Sequence, residues 1–388
     1  MLALATTGFA LCFWAWALIS PLGSAFGAEF GLSPFEQSLL VALPVVIGSL
    51  GRIPVGALTD RLGAKAMFPA IAALTVIPVL FVGLAGVSFP LVLIGGFFLG
   101  LGGTSFAIGV PLVNAWFPAN KRGTMLGIFG AGTIGTAIAS FTTVQLSDSF
   151  GRPAPFLLVA VLLAVYALVA RRMLVDPPNR PATSATGSIW ARALTTLKHP
   201  ATLKLSWLYA LAFGGFVAFS VYLPTYLVNV YGMARGDAAL RTAGFVVLAV
   251  VMRPIGGYLS DRLGALKVLT TCFALTAVCA FGAALGMHLM PQGTVMFLGL
   301  AAALGAASGA VFALVSELVE PARVGAVTGI VGAAGGLGGF LPPLVMGIVY
   351  GQTGHYSLGL GLLAGVALGT AVFAWLGFHT EQSESDAR

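Results

Sequence analysis

The chain has 388 residues, of which 58% are hydrophobic and 8% charged, with a mean hydropathy of +1.00. So few charges cannot cover the surface of a soluble core of this size, which excludes a water-soluble domain and leaves a polytopic membrane protein. The net charge of +7 sits mostly in short loops between apolar stretches, with no basic stripe interleaved with aromatic residues, so it argues for membrane topology and against a nucleic-acid partner.

The N-terminus enters an apolar run without a basic leader region or a clear cleavage site, and is read as a retained first span. A span needs about 20 apolar residues. Segments of that kind recur along the first part of the chain at Leu4–Phe26, Phe35–Thr59, Ala66–Val87, Pro90–Trp116, Arg122–Val144 and Pro155–Ala170. They return at Leu203–Val228, Leu240–Ser260, Leu266–Leu289, Thr294–Val315, Val324–Val349 and Ser357–Phe378. Ser33-Pro34-Phe35-Glu36 combines a capping box with proline at the first helical position, which makes the loop before span 2 very short. Cys12, Cys272 and Cys279 fall inside spans with neither disulfide nor metal spacing, and are expected to pack inertly.

Between spans 6 and 7 the chain carries its only long polar connection, opening with the Pro-rich DPPNRPATSATG. Beyond it Trp190, Leu194 and Leu197 recur at helical spacing, which predicts a short amphipathic helix on the membrane surface. The expected division is a first bundle over 1–172, a linker over 173–200 and a second bundle with a short tail over 201–388. The positive-inside rule orients the set. With the N-terminus inside, the cytoplasmic segments hold Arg61, Lys65, Lys121, Arg122, Arg171, Arg172, Arg180, Arg192, Lys198, Lys204, Arg262, Lys267 and Arg323, against Arg152, Arg235 and Arg241 opposite. Both termini are therefore expected in the cytoplasm, in a cell (plasma or inner) membrane.

The halves are copies. Gly51 to Lys65 (GRIPVGALTDRLGAK) and Met252 to Lys267 (MRPIGGYLSDRLGALK) each run from an arginine inside an apolar helix to an Asp-Arg-Leu-Gly turn. Arg52 precedes Asp60 by 8 residues, Arg253 precedes Asp261 by 8, and the copies are offset by 201. Arg122-Gly-Thr-Met-Leu-Gly-Ile-Phe-Gly before span 5 is repeated, with one insertion, from Arg323 before span 11. Matched six-span halves form a parallel repeat, the arrangement that puts a substrate site near the midplane between them. The fold class is thus all-α: twelve transmembrane helices in two pseudo-symmetric six-helix bundles.

Arg52 lies about 12 Å of helix from Asp60 at 1.5 Å per residue, deep in the bilayer, where an arginine costs roughly 3 kcal/mol. Glu29, Glu36, Asp60, Asp148, Asp176, Asp237, Asp261, Glu317, Glu320, Glu381, Glu384 and Asp386 all map to loops, tails or helix ends, so no carboxylate is available at that depth. An anionic substrate is the expected counter-ion; backbone carbonyls and water are the alternative. Arginine suits the task because its planar, permanently charged fork matches a planar oxyanion. Gly48, Ser49 and Gly56 flank Arg52 at helical spacing, and Ala249, Gly256 and Gly257 flank Arg253, leaving room for a small ligand.

The Gly-x-x-x-Asp-Arg-x-Gly loop after spans 2 and 8 resembles the signature of the major facilitator superfamily, and with the twelve spans the likeness covers the whole chain. The two arginines resemble, more narrowly, the nitrate/nitrite porter family, together with GLGGTSFAIGVPLVNAWFPANKRGTMLGIFGAG, LYALAFGGFVAF and GAAGGLGGFLPP. That resemblance implies a secondary transporter working by alternating access, with Arg52 and Arg253 clamping the anion and Tyr209 completing the site. It also implies aromatic contacts from Phe106, Phe213 and Phe312. Thr133, in GAGTIG, stands where the family carries an asparagine; it can donate a hydrogen bond but lacks an amide's reach. Trp14 and Trp16 are read as packing.

The glycine runs, with Gly130, Gly132 and Gly135 in span 5 and Gly332, Gly335, Gly336, Gly338 and Gly339 in span 11, are expected to let helices approach and slide. Asp60, Arg61, Asp261 and Arg262, with Arg122 and Arg323, are read as conformational latches at the cytoplasmic helix ends. Nitrate/nitrite exchange or nitrate uptake is the leading expectation. A carrier of cyanate, formate, oxalate or a monocarboxylate is the alternative, and a transporter-like membrane sensor is the reading from another class, disfavoured by the ten-residue tail from His379 to Arg388. Carriers of cationic drugs want membrane carboxylates. No nucleophile-base pair, metal cluster or phosphate loop supports an enzyme, and neither cofactor nor metal is expected. A monomer is expected.

Overall fold

The computed structural model describes residues 1–176, 197, 200–319 and 324–386. The amphipathic helix expected around Trp190 lies outside the described residues, as does Arg323. Among the described residues 12 helical segments are long and apolar enough to cross a membrane. In chain order they are α1 (Leu2–Phe30), α2 (Pro34–Leu62), α3 (Ala64–Ala85), α4 (Phe89–Trp116), α5 (Met125–Phe150) and α6 (Pro153–Met173). The second half has α7 (Pro200–Tyr231), α8 (Arg235–Leu263), α9 (Ala265–Ala284), α10 (Leu289–Val315), α11 (Val327–Thr353) and α12 (Ser357–Leu376).

Each expected span has its counterpart, and the differences lie at the ends. Span α9 stops at Ala284, short of the expected Leu289, because Leu285 N–H bonds Gly282 O and Gly286 N–H bonds Ala283 O, tightening and closing the last turn. Span α2 starts with the capping box expected from sequence: Ser33 accepts from the Glu36 amide, and the Glu36 carboxylate accepts from the Ser33 amide at 2.8 Å. Both Asp-Arg-Leu-Gly turns end in a glycine of left-handed φ, +90° at Gly63 and +89° at Gly264, which a side chain would strain.

Several spans are not continuous α-helices, α11 among them, which is interrupted between Gly338 and Leu341. Span α1 passes through a 3₁₀ turn at Ser20–Leu22, around Pro21. Span α2 is interrupted at Leu43, before Pro44, and again at Gly51. Tighter 3₁₀ stretches run through α4 at Gly100–Ser105 and α5 at Ala131–Ile134. Such breaks are tolerated within a membrane where neighbouring helices re-satisfy the freed backbone groups.

Helix approach depends on small residues. A Cβ at Gly135 would strike the Ala10 carbonyl of α1, one at Gly338 the Ala210 carbonyl of α7, and one at Gly132 the ring of Phe9. Gly335, Gly336 and Gly339 are equally confined, by Tyr209, Ser49 and Val217. Gly130 departs from the expected pattern, having no neighbour within 4 Å of its Cβ position. Gly332 has only an ordinary contact with Phe106, at 3.5 Å. Span α7 is the most enclosed, with 89% of its apolar window buried, whereas Val161, Leu168, Phe281 and Val278 on α6 and α9 point outward, as a lipid-facing shell requires.

Candidate functional site

The breaks in α2 and α4 set up the first half of the site. Gly51 ends one helical segment of α2 and Arg52 begins the next, so the guanidinium leaves the span at this interruption and is almost fully buried. Its Nε donates to Gly103 O of the α4 3₁₀ stretch at 3.2 Å, and its Nη1 donates to Gly332 O of α11 at 2.7 Å. The first bond stays within its own half; the second crosses to the other.

Arg253 answers it from α8. Its Nη2 donates to the Tyr209 hydroxyl at 3.0 Å, and its Nη1 reaches Thr133 Oγ1 of α5 at 3.4 Å, again across the halves. The Thr133 hydroxyl in turn donates to Gly130 O at 2.9 Å. A Cβ at Gly309 would collide with the Arg253 carbonyl, so α10 packs directly behind this cation.

Aromatic rings flank both arginines. The Arg52 guanidinium carbon lies 5.2 Å from the Phe106 ring centre and 5.7 Å from that of Phe213, and the Arg253 carbon lies 5.0 Å from Phe213. One ring thus serves two cations, and its negative face offsets part of their mutual repulsion. Tyr209 stacks on Phe213 at 5.1 Å, as their four-residue spacing on one helix requires, and Phe312 meets Tyr209 edge-on at 4.8 Å. The ring of Tyr209 also fills the space a side chain at Gly335 would need.

Every residue named from sequence as substrate-binding converges on this layer: Arg52, Phe106 and Thr133 from the first half, Tyr209, Phe213, Arg253 and Phe312 from the second. Among the described residues no carboxylate lies within salt-bridge distance of either arginine; the ion pairs Arg152–Glu29 and Arg235–Asp148 lie at the face remote from the termini. Both backbone carbonyls that Arg52 meets belong to the partner class weighed as an alternative to an anion. Two contributors were not legible in sequence. Gly103 acts through its carbonyl, which carries no side-chain signal, and Phe9, stacked on Phe129 at 4.8 Å and 5.8 Å from Phe106, reads as one apolar residue among many.

The charged helix ends sit away from this layer. Asp60, Arg61, Asp261 and Arg262 are exposed at the face that carries the termini, and the Arg262 guanidinium lies over the Tyr258 ring at 4.6 Å. The side chain of Arg122 is outside the described residues. Near Asp261, partial burial and that residue's negative charge hold the Glu317 carboxyl above its ordinary range.

The family model described as Major Facilitator Superfamily matches residues 5–243 and 231–388. The chain is 44% identical to the "Probable nitrate/nitrite transporter NarK2" of Mycobacterium tuberculosis, over 100% of this chain and 98% of that protein. It is 38% identical to the "Nitrite extrusion protein" of Bacillus subtilis, over 96% of this chain and 94% of that one. With the "Probable nitrate/nitrite antiporter NarK1" of Thermus thermophilus it shares 34% identity, over 89% and 84%. Among solved structures, a bacterial homologue of the human lysosomal transporter Spinster in an inward-facing and occupied conformation superposes with a TM-score of 0.75 over 98% of this chain and 96% of that one. At 18% identity that likeness speaks for the fold alone.

Proposed function

The chain belongs to the major facilitator superfamily, and from that premise we propose that it carries nitrate and nitrite across the membrane by alternating access, with the anion held between Arg52 and Arg253. The observation that carries this reading is the pairing of two guanidinia from opposite halves, Arg52 buried and Arg253 partly buried, held on neutral oxygens and shared aromatic rings with no carboxylate within reach among the described residues. A planar oxyanion would give Arg52 a charged acceptor in place of the Gly332 carbonyl, one that its planar fork can meet with two parallel hydrogen bonds. The same exchange on Arg253 would release the Thr133 oxygen, whose proton reaches the anion only by turning away from Gly130 O. Tyr209 and Phe213 hold the fork of Arg253 flat against its ligand, and Phe106 and Phe312 close the sides.

In this reading residues 1–172 and 201–388 move as two bodies, both termini lie in the cytoplasm and the protein works as a monomer in the cell membrane. Asp60, Arg61, Asp261 and Arg262, with Arg122 and Arg323, latch the cytoplasmic side. The glycine faces of α5 and α11, most of which pack against α1 and α7 of their own halves, are the surfaces on which helices slide and bend as access is exchanged. Names of the relatives, which include a transporter, an extrusion protein and an antiporter, favour exchange of one anion for the other.

Thr133 supports a second reading, a carrier of another small anion such as formate, cyanate, oxalate or a monocarboxylate, because a hydroxyl spans less distance than an amide. Calorimetric titration of the purified protein with nitrate, nitrite, formate and acetate separates the two. Heat from nitrate or nitrite that disappears in Arg52→Ala is the expected result; heat from the carboxylates alone would overturn the nitrate assignment.

A further inference from the structure

At the face remote from the termini the halves are joined by buried hydroxyls that land on one turn of α7. Pro224 has no N–H, so the carbonyl of Ser220, four residues earlier, loses its helical partner. The hydroxyl of Ser20, from the 3₁₀ turn of α1, donates into this gap, to Val221 O at 2.7 Å and Ser220 O at 3.3 Å. Ser20 belongs to the first half and α7 to the second.

One residue further on, a second contact crosses the same seam. Ser38 of α2 bonds the Pro34 carbonyl at 2.7 Å and lies 3.2 Å from the Tyr222 hydroxyl. With its single proton used on Pro34, the serine oxygen receives the proton of Tyr222. Tyr222 lies 3.0 Å from the Tyr356 hydroxyl of α12, which takes a bond from the Asn229 amide at 3.1 Å. Ser38, Tyr222 and Tyr356 are all buried, and a Cβ on Gly347 of α11 would strike the Ser38 hydroxyl. The other polar tie across this face, Arg235 to Asp148 at 3.6 Å, is exposed and therefore weak.

We propose that Ser20 and Ser38 form a two-point latch on the Ser220–Tyr222 turn of α7, and that these two hydroxyl contacts set how long the face remote from the termini stays shut. The latch turn lies on the same helix as Tyr209 and Phe213, about 13 Å beyond the second of them at 1.5 Å per residue, so motion of the ring pair reaches it through one rigid element. Opening this face breaks both bonds and exposes the Ser220 carbonyl that Pro224 has freed. Each hydroxyl is a positioning group. Its consequence for transport rests on the carrier function proposed above, while the closure itself does not.

The test is a distance measurement on the full chain in lipid, with spin labels on Phe150→Cys in the first half and Gln352→Cys in the second, both exposed at this face. The native cysteines are all buried and stay in place. Ser20→Ala and Tyr222→Phe should each enlarge the long-distance, open population about fivefold, the equivalent of a hydrogen bond worth about 1 kcal/mol. Tyr222→Phe keeps the ring and so preserves packing against Tyr356. Nitrate uptake from this face in the same variants should show a KM lowered by a similar factor, with a smaller change in kcat. Unchanged distances in the Ser20→Ala, Tyr222→Phe double variant would overturn the latch, whatever the transport result. A shifted distance in a protein that neither binds nor moves nitrate or nitrite would keep the latch and sink the nitrate reading.

Discussion

At the scale of single residues, the two arginines do different work. Arg52 spends two donors on backbone carbonyls, one from each half, whereas Arg253 rests on hydroxyls that can turn to other partners. Lysine would keep the charge at either place but could not hold two partners in one plane. Arg52→Lys and Arg253→Lys should each weaken nitrate binding about 10- to 100-fold, the loss expected for a charge-assisted hydrogen bond worth about 1.5–3 kcal/mol. Near-parental binding in either variant, measured calorimetrically, would make that arginine structural. The two arginines inside apolar spans and the missing carboxylates were legible in sequence, because charge inside a membrane span is rare and spacing gives its depth. The partners of Arg52 were not, since every residue carries a carbonyl and only the folded chain decides which one faces a donor.

At the scale of elements, α7 and α11 form a close seam beside the site. Gly214 would meet the Gly338 backbone if it bore a Cβ, Gly338 would meet Ala210, and Gly335 lies under the Tyr209 ring. A methyl group at Gly335 must displace that ring and with it the bond to Arg253. Gly335→Ala should therefore lower thermal stability by about 1–3 kcal/mol, as overpacking does, and should weaken anion binding as well. Gly130→Ala is the control, since nothing lies within 4 Å of its Cβ position; equal effects in the two variants would show that packing at Gly335 is not the cause. Composition marked both glycine runs equally. Which glycines are confined depends on the rotation of each helix about its axis, which the sequence of one helix alone does not specify.

At the scale of the whole molecule, two like charges share the Phe213 ring at the seam between halves, and their repulsion opposes closure unless an anion or polar groups offset it. Gly332 O and the Thr133 hydroxyl supply part of that compensation as neutral dipoles, and an anion would supply more. Vesicles loaded with nitrite should accordingly take up labelled nitrate at least about tenfold faster than vesicles loaded with an impermeant anion, an advantage of about 1.4 kcal/mol in barrier. Equal initial rates in the two would rule out exchange as the dominant mode.

The chain's apolar periodicity, its loop charges and its internal repeat determined twelve spans, a two-fold design and the depth of two cations, because these follow from transfer energies and helical rise summed along the chain. Tertiary structure alone decided that Arg52 bonds to Gly332 and Arg253 to Thr133, and that the Ser220 carbonyl freed by Pro224 meets Ser20 of the other half. Those pairings join residues 280, 120 and 200 positions apart, and no local energy along the chain encodes a contact made only when two bundles close against each other.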